Sequence, residues 1–209
     1  MDEKKNQESN ILVVGLSGSL RAGSYTSMAV KIAFKGAEEL GVKTEFIDLN
    51  NYSLAFCDGR RDTSTYPEGV INLRKTFAKA QGIILGTPEY HGGFSGVLKN
   101  AIDLMGFKEF EGKMIGLIGV SGGTMGAVNA LNSLRNIGRS LHAWIIPEQV
   151  SIGEAQKVFN KAGRIINKHL ENRVLEVGKI VARFAYLHTS KKSKEFLNAW
   201  EIAPPNPGG

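Results

Sequence analysis

A chain of 209 residues, 42% hydrophobic and 22% charged, has the size and composition of one folded domain and excludes a disordered or fibrous protein. Its net charge of +6, from 26 basic against 20 acidic side chains, favours anionic partners such as phosphorylated small molecules. Cys57 is the one cysteine, so an internal disulfide, an all-cysteine zinc site and a four-cysteine iron–sulfur cluster within the chain are all excluded.

Residues 1–10 are polar and charged and read as a leader without the apolar stretch of a secretory signal. No later run reaches the roughly 20 apolar residues of a membrane span. The expected location is the cytoplasm, with no membrane partner. Residues 11–16 form a continuous apolar run rich in β-branched side chains, the pattern of a strand buried on both faces.

The turn that follows is rich in hydroxyls: Ser17, Ser19, Ser24, Thr26 and Ser27, with Gly18 and Gly23 between them and Tyr25 near its end. Backbone N–H groups and the positive end of a following helix, about half a charge, suit an anion. A phosphate monoester carries about −1.5 to −2, so Arg21 is expected to supply the rest. Gly-Lys-Ser/Thr is missing, as is Gly-x-Gly-x-x-Gly, so this is neither a triphosphate loop nor the dinucleotide fingerprint.

Ala29, Ile32, Ala33, Gly36, Ala37 and Leu40 then repeat at helical spacing up to Gly41. Residues 44–49 predict a second strand. Beyond it, Arg60 and Arg61 read either as an attractor for an anionic co-substrate or as a solvated turn. Cys57 reads as a small buried hydrophobe. Residues 82–87 predict a third strand, which Pro88 is expected to stop.

The second loop carries Pro88, Glu89, Tyr90, His91, Gly92, Gly93 and Phe94. Paired glycines let backbone approach a flat ligand, and Tyr90 and Phe94 offer apolar surface beside a ring. Glu89 and His91 could suggest acid–base work, but a hydrogen-bonded loop histidine without catalytic duty is the preferred reading of His91. Val97, Leu98, Ala101, Ile102 and Met105 predict a helix, and residues 114–120 a fourth strand. Ser121, Gly122 and Gly123 open a third loop, read as an anion-stabilising edge at the start of a helix carrying Ala127, Leu131, Leu134, Ile137 and Leu141. Residues 143–146 predict a fifth strand, and Val158, Ala162, Ile165, Ile166 and Leu170 begin a helical region running to about His188.

Strand alternates with helix throughout, which predicts a parallel sheet with helices on both faces. The single domain is expected over residues 11–188, followed by a basic, proline-rich tail at 189–209 in which Trp200 is a possible tether. Without a basic stripe interleaved with aromatics, nucleic acid is not expected as a partner.

The run Gly18-Ser19-Leu20-Arg21-Ala22-Gly23-Ser24, the run from Thr87 to Asp103, and Ser121-Gly122-Gly123 together resemble the NADPH-dependent FMN reductase family over residues 11–150. The resemblance implies a flavodoxin-like three-layer fold with a five-stranded parallel sheet of order 2-1-3-4-5. It implies FMN as cofactor and NADPH or NADH as co-substrate, with electrons passed to a small-molecule acceptor. It also implies a homodimer or homotetramer.

By the same resemblance Ser19, Arg21, Ser24 and Thr26 hold the FMN phosphate. Pro88, Glu89, Tyr90 and His91 line the ring, and Ser121, Gly122 and Gly123 border its other side. Ser17 and Tyr25 are counted with the cofactor site, no residue is assigned to catalysis, and no metal is expected. His91 and Thr26 stand where many members have Asn, and Ser95 where Pro is common. A flavodoxin-type electron carrier and a regulatory nucleotide-binding domain are the alternatives. Carriers tend to be acidic, and this chain is basic.

Overall fold

The structure, a computed structural model, describes residues 11–190, 193–195 and 198. The leader at 1–10, most of the basic tail and Trp200 lie outside them. Among the described residues the sheet contains β1 (Leu12–Ser17), β2 (Lys43–Ile47), β3 (Gly82–Tyr90), β4 (Gly93–Phe94), β5 (Met114–Val120) and β6 (Trp144–Ile152). Five of these pair in parallel in the order β2-β1-β3-β5-β6, the expected doubly wound order. The two-residue β4 is an addition: it folds back antiparallel on the end of β3, setting Glu89 opposite Phe94.

Successive side chains of a strand point to opposite faces, so an all-apolar strand needs cover on both. Val13, Ile84 and Ile118 pack beneath α1 (Tyr25–Glu38) and α7 (Lys168–Thr189). Val14, Ile83, Leu85, Ile115 and Leu117 pack beneath α2 (Glu68–Lys79), α3 (Gly96–Asp103) and α5 (Val128–Ser140), with Phe110 of the short α4 (Phe107–Phe110). On the first face α1 and α7 approach so closely that a Cβ on Gly36 would strike the Leu175 carbonyl, and one on Gly178 the Ala33 carbonyl.

Four sequence expectations change. First, β3 does not stop at Pro88 but pairs it with Val120. Residues two apart present their backbone to the same neighbour, and Gly86 already bonds Gly18 where β1 ends. Pro88 therefore turns its hydrogen-free nitrogen to a side β1 has left, at no cost to the ladder. Second, the C-terminal helix begins at Lys168 rather than near Val158. After α6 (Ala155–Val158), Phe159 and Ile165 bridge as a small antiparallel turn that buries both side chains. Third, β6 continues to Ile152, beyond Pro147, after a register shift against β5. Fourth, Cys57 is exposed, with its backbone N–H donating to Asn100 Oδ1 at 2.9 Å.

Candidate active site

At the carboxyl ends of β1, β3 and β5 three loops enclose a cavity of about 620 Å³. The first loop contributes Ser19, Arg21, Ser24, Tyr25 and Thr26, the end of β3 contributes Pro88, Glu89 and Tyr90, and β5 leads into Ser121 and Gly122. The first two loops are locked together at Gly18, whose N–H donates to the Gly86 carbonyl at 2.8 Å and whose carbonyl accepts from Ser95 Oγ at 2.6 Å. A Cβ at Gly18 would lie 2.6 Å from that same Ser95 oxygen, so only glycine fits.

The hydroxyl-rich turn runs from the end of β1 into α1. Ser24 caps α1, accepting from the Ser27 N–H at 3.3 Å. Ser19, Ser24 and Thr26 are all buried. No fully buried side-chain oxygen or nitrogen lacks a partner among the described residues, and Thr26 Oγ1 makes no hydrogen bond there. Its hydroxyl is therefore the part of Thr26 that stays open, in the cavity it lines. The Arg21 guanidinium likewise makes no hydrogen bond or ion pair among the described residues. A donor set of hydroxyls, helix N-terminus and one free guanidinium fits a phosphate monoester.

In the other two loops several polar groups are taken up within the chain. Glu89 Oε2 accepts from the Ala130 N–H at 3.0 Å and Oε1 from Asn129 Nδ2 at 3.4 Å. The N-terminus of α5, expected as an edge for a ligand's negative charge, is thus already taken by a carboxylate of the chain. Ser121 Oγ accepts from the Gly123 N–H at 2.9 Å. Gln156 Nε2 donates to the Gly122 carbonyl at 3.3 Å. What these loops offer the cavity is shape and apolar surface, chiefly Pro88, Val120 and the half-exposed ring of Tyr90.

Residues 11–157 match the NADPH-dependent FMN reductase family. The chain belongs to that family. It is 34% identical to an NAD(P)H-dependent FMN reductase of Pseudomonas aeruginosa over 163 residues, covering 76% of this chain and 86% of that protein. It is also 34% identical to an FMN-dependent NADPH-azoreductase of Staphylococcus aureus over 149 residues, covering 70% and 79%. In fold it is similar to a flavoenzyme NAD(P)H:(acceptor) oxidoreductase of Paracoccus denitrificans, with TM-score 0.70, 21% identity, and 85% and 98% of the two chains covered. As a member of the FMN reductase family the chain is an oxidoreductase, an enzyme working with FMN and a pyridine nucleotide.

Three residues assigned to the FMN reductase site from sequence do not line the cavity. Ser17 is buried at the end of β1, where its Oγ accepts from Ser27 Oγ at 3.0 Å. Gly123 is exposed outside the cavity lining. His91 sits at the exposed tip of the β3–β4 hairpin, where His91 and Gly92 have φ of 51° and 77°. Two left-handed residues in a two-residue hairpin are a type I′ turn, which favours Asn at the first position. The departure from the family's Asn therefore falls on turn geometry.

Ala155 and Gln156 line the cavity and were missed. Their only sequence signal is their position just after the last strand. Arg60 is tied into its own loop, its Nε donating to both oxygens of Asp58 at 3.0 Å and its plane lying 4.4 Å from the Tyr66 ring centre. Those bonds hold the Asp58 carboxyl well below the usual carboxylate range. Of the arginine pair, only Arg61 stays clear of these bonds.

Proposed function

We propose that the cavity holds one FMN, its phosphate in the turn of Ser19, Arg21, Ser24 and Thr26 and its ring against Pro88, Glu89 and Tyr90, with Ser121 and Gly122 along one edge. The reading is carried by one observation: Arg21 and Thr26 bring an unpaired cation and an open hydroxyl to the same cavity. When bound, FMN supplies the hydride-accepting ring. The chain binds and orients it. NADPH or NADH is the reductant, and the oxidant is a second small molecule such as a quinone, a free flavin, an azo compound or a metal oxyanion.

The half-exposed Tyr90 gives both substrates apolar surface at the mouth of the cavity. Exposed Met125 and Val128 in the third loop and at the start of α5 support a homodimer or homotetramer as the working form. Among the described residues no helix is long and apolar enough to cross a membrane. In this reading the protein works in the cytoplasm, and neither nucleic acid nor membrane is a partner.

The test is the visible spectrum of the purified protein reconstituted with FMN, followed by anaerobic titration with each pyridine nucleotide. The expected result is one FMN per chain, bleached by NADPH or NADH without an added reductase. A protein that takes up no flavin sinks the proposal, and one whose flavin is not bleached is an electron carrier instead.

A further inference from the structure

On the outer flank of the phosphate-type turn lies a second hollow, of about 220 Å³. It shares Ser19, Arg21, Ala22, Gly23 and Ser24 with the larger cavity, so the turn is a wall between the two. Its far side comes from α1, β2 and the segment after β2, through Lys31, Phe46, Asp48 and Asn50.

The chemistry of that far side is specific. The Phe46 ring is half-buried and braced edge-on by Phe34, with Lys31 Nζ 4.7 Å from its centre. A cation on a flexible stem thus covers an aromatic face on which a flat base could stack. Asp48 directly follows β2. Its Oδ1 accepts from both the N–H and the Nδ2 of Asn50, at 3.0 and 2.9 Å, while Oδ2 makes no hydrogen bond among the described residues. Neither Lys31 nor Arg21 has an ion pair among those residues.

In dinucleotide-binding βαβ units the turn after the first strand takes phosphate, and an acidic residue near the end of the second strand takes the ribose hydroxyls. β1, its turn, α1, β2 and Asp48 reproduce that placement without the glycine fingerprint. We propose that the hollow takes an adenosine 5′-phosphate moiety, with the base on Phe46, the ribose diol on Asp48 and the phosphate on Lys31. The moiety arrives as the adenylate half of FAD or of a pyridine dinucleotide. Only the FAD form rests on the flavin reading of the neighbouring cavity. Because a carboxylate accepts a free 2′-hydroxyl and repels a 2′-phosphate, the hollow favours NADH over NADPH.

The probe is AMP, titrated calorimetrically into the FMN-reconstituted protein and into its Asp48→Asn and Lys31→Ala variants. One AMP per chain is expected, bound at least tenfold more weakly by each variant, with FMN affinity and melting temperature unchanged. No uptake by the wild-type protein, or equal affinity in both variants, overturns the assignment. A Lys31→Ala loss confined to FAD identifies FAD as the source, and a raised KM for NADH with FAD unaffected identifies the pyridine nucleotide. If AMP binding weakens but neither dinucleotide responds, the dinucleotide role is refuted. Absence of FMN uptake in the same samples counts against the flavin reading alone, since AMP binding is scored separately.

Discussion

At the carboxyl end of the sheet Ser19, Ser24 and Thr26 are buried around an Arg21 whose guanidinium has no partner among the described residues. At the amino end Glu109 and Lys113 are also buried, yet both charges are answered from within the chain. Glu109 takes Arg74 Nε at 3.1 Å on one oxygen and the Gly106 N–H at 2.8 Å on the other, and the Lys113 ammonium donates to the Phe77 carbonyl. Burial of polar groups is common to both ends. The difference lies in whether the group's partner belongs to the chain, and that difference separates a binding site from a structural clasp. Substitutions at the clasp should move stability and leave ligand affinity alone, while those at the turn should do the reverse.

The largest effect is expected at the clasp. Glu109→Ala takes the counter-charge from both Arg74 and Lys113, and breaking a buried pair from one side costs about 3–5 kcal/mol. Chemical denaturation should show a loss toward the lower end, because Lys113 can escape by shedding its proton, and FMN affinity of the folded fraction should not change. Lys113 itself sharpens the point. Burial pushes its ammonium down from 10.5 to about 8, with Glu109 opposing only in part. Between these values the unfolded chain binds more protons than the folded one, so stability rises with pH through that window. The rise is at most about 3 kcal/mol at the standard conversion from pKa to free energy. Lys113→Met should abolish this slope, and urea midpoints measured at pH 7 and pH 10 would reveal it.

The two ends also differ in how far the sequence announces them. Strands buried on both faces read directly as apolar runs, and the hydroxyl-rich turn with Arg21 reads directly as anion chemistry, because in each case the relevant residues are neighbours in the chain. That Glu89 would bond α5 could not be read, because its partner, the Ala130 N–H, is 41 residues away. Gln156 and the hollow at Asp48 were unreadable for the same reason. The start of α7 was misplaced because Val158 and Ile165 keep helical spacing while packing as part of a bridged turn. Pro88 was misjudged because only the register shows that its nitrogen faces no neighbour.

At the turn, Arg21→Ala is expected to weaken FMN binding by about 1.5–3 kcal/mol, the range for a hydrogen bond to a charged group. Flavin fluorescence titration reads this directly. Its melting curve without flavin should superimpose on that of the unaltered chain, since Arg21 supports nothing else. A variant that melts early would turn the free guanidinium into a structural one and erase the contrast with Glu109.

Glu89 tests where the boundary between the two regimes falls, because it lines the cavity and yet serves α5. The helix has no side-chain acceptor at its own N-cap, Ala127, and Glu89 supplies one from β3. Glu89→Ala should therefore cost about 1 kcal/mol of stability, the usual price of a lost cap. Glu89→Gln should recover most of that, keeping an acceptor oxygen but not the charge that favours a helix N-terminus. FMN affinity should fall less in either variant than in Arg21→Ala. If Glu89→Ala instead matched Arg21→Ala in flavin affinity with an unshifted melting temperature, the carboxylate would answer to the ligand, and the third loop would belong with the turn.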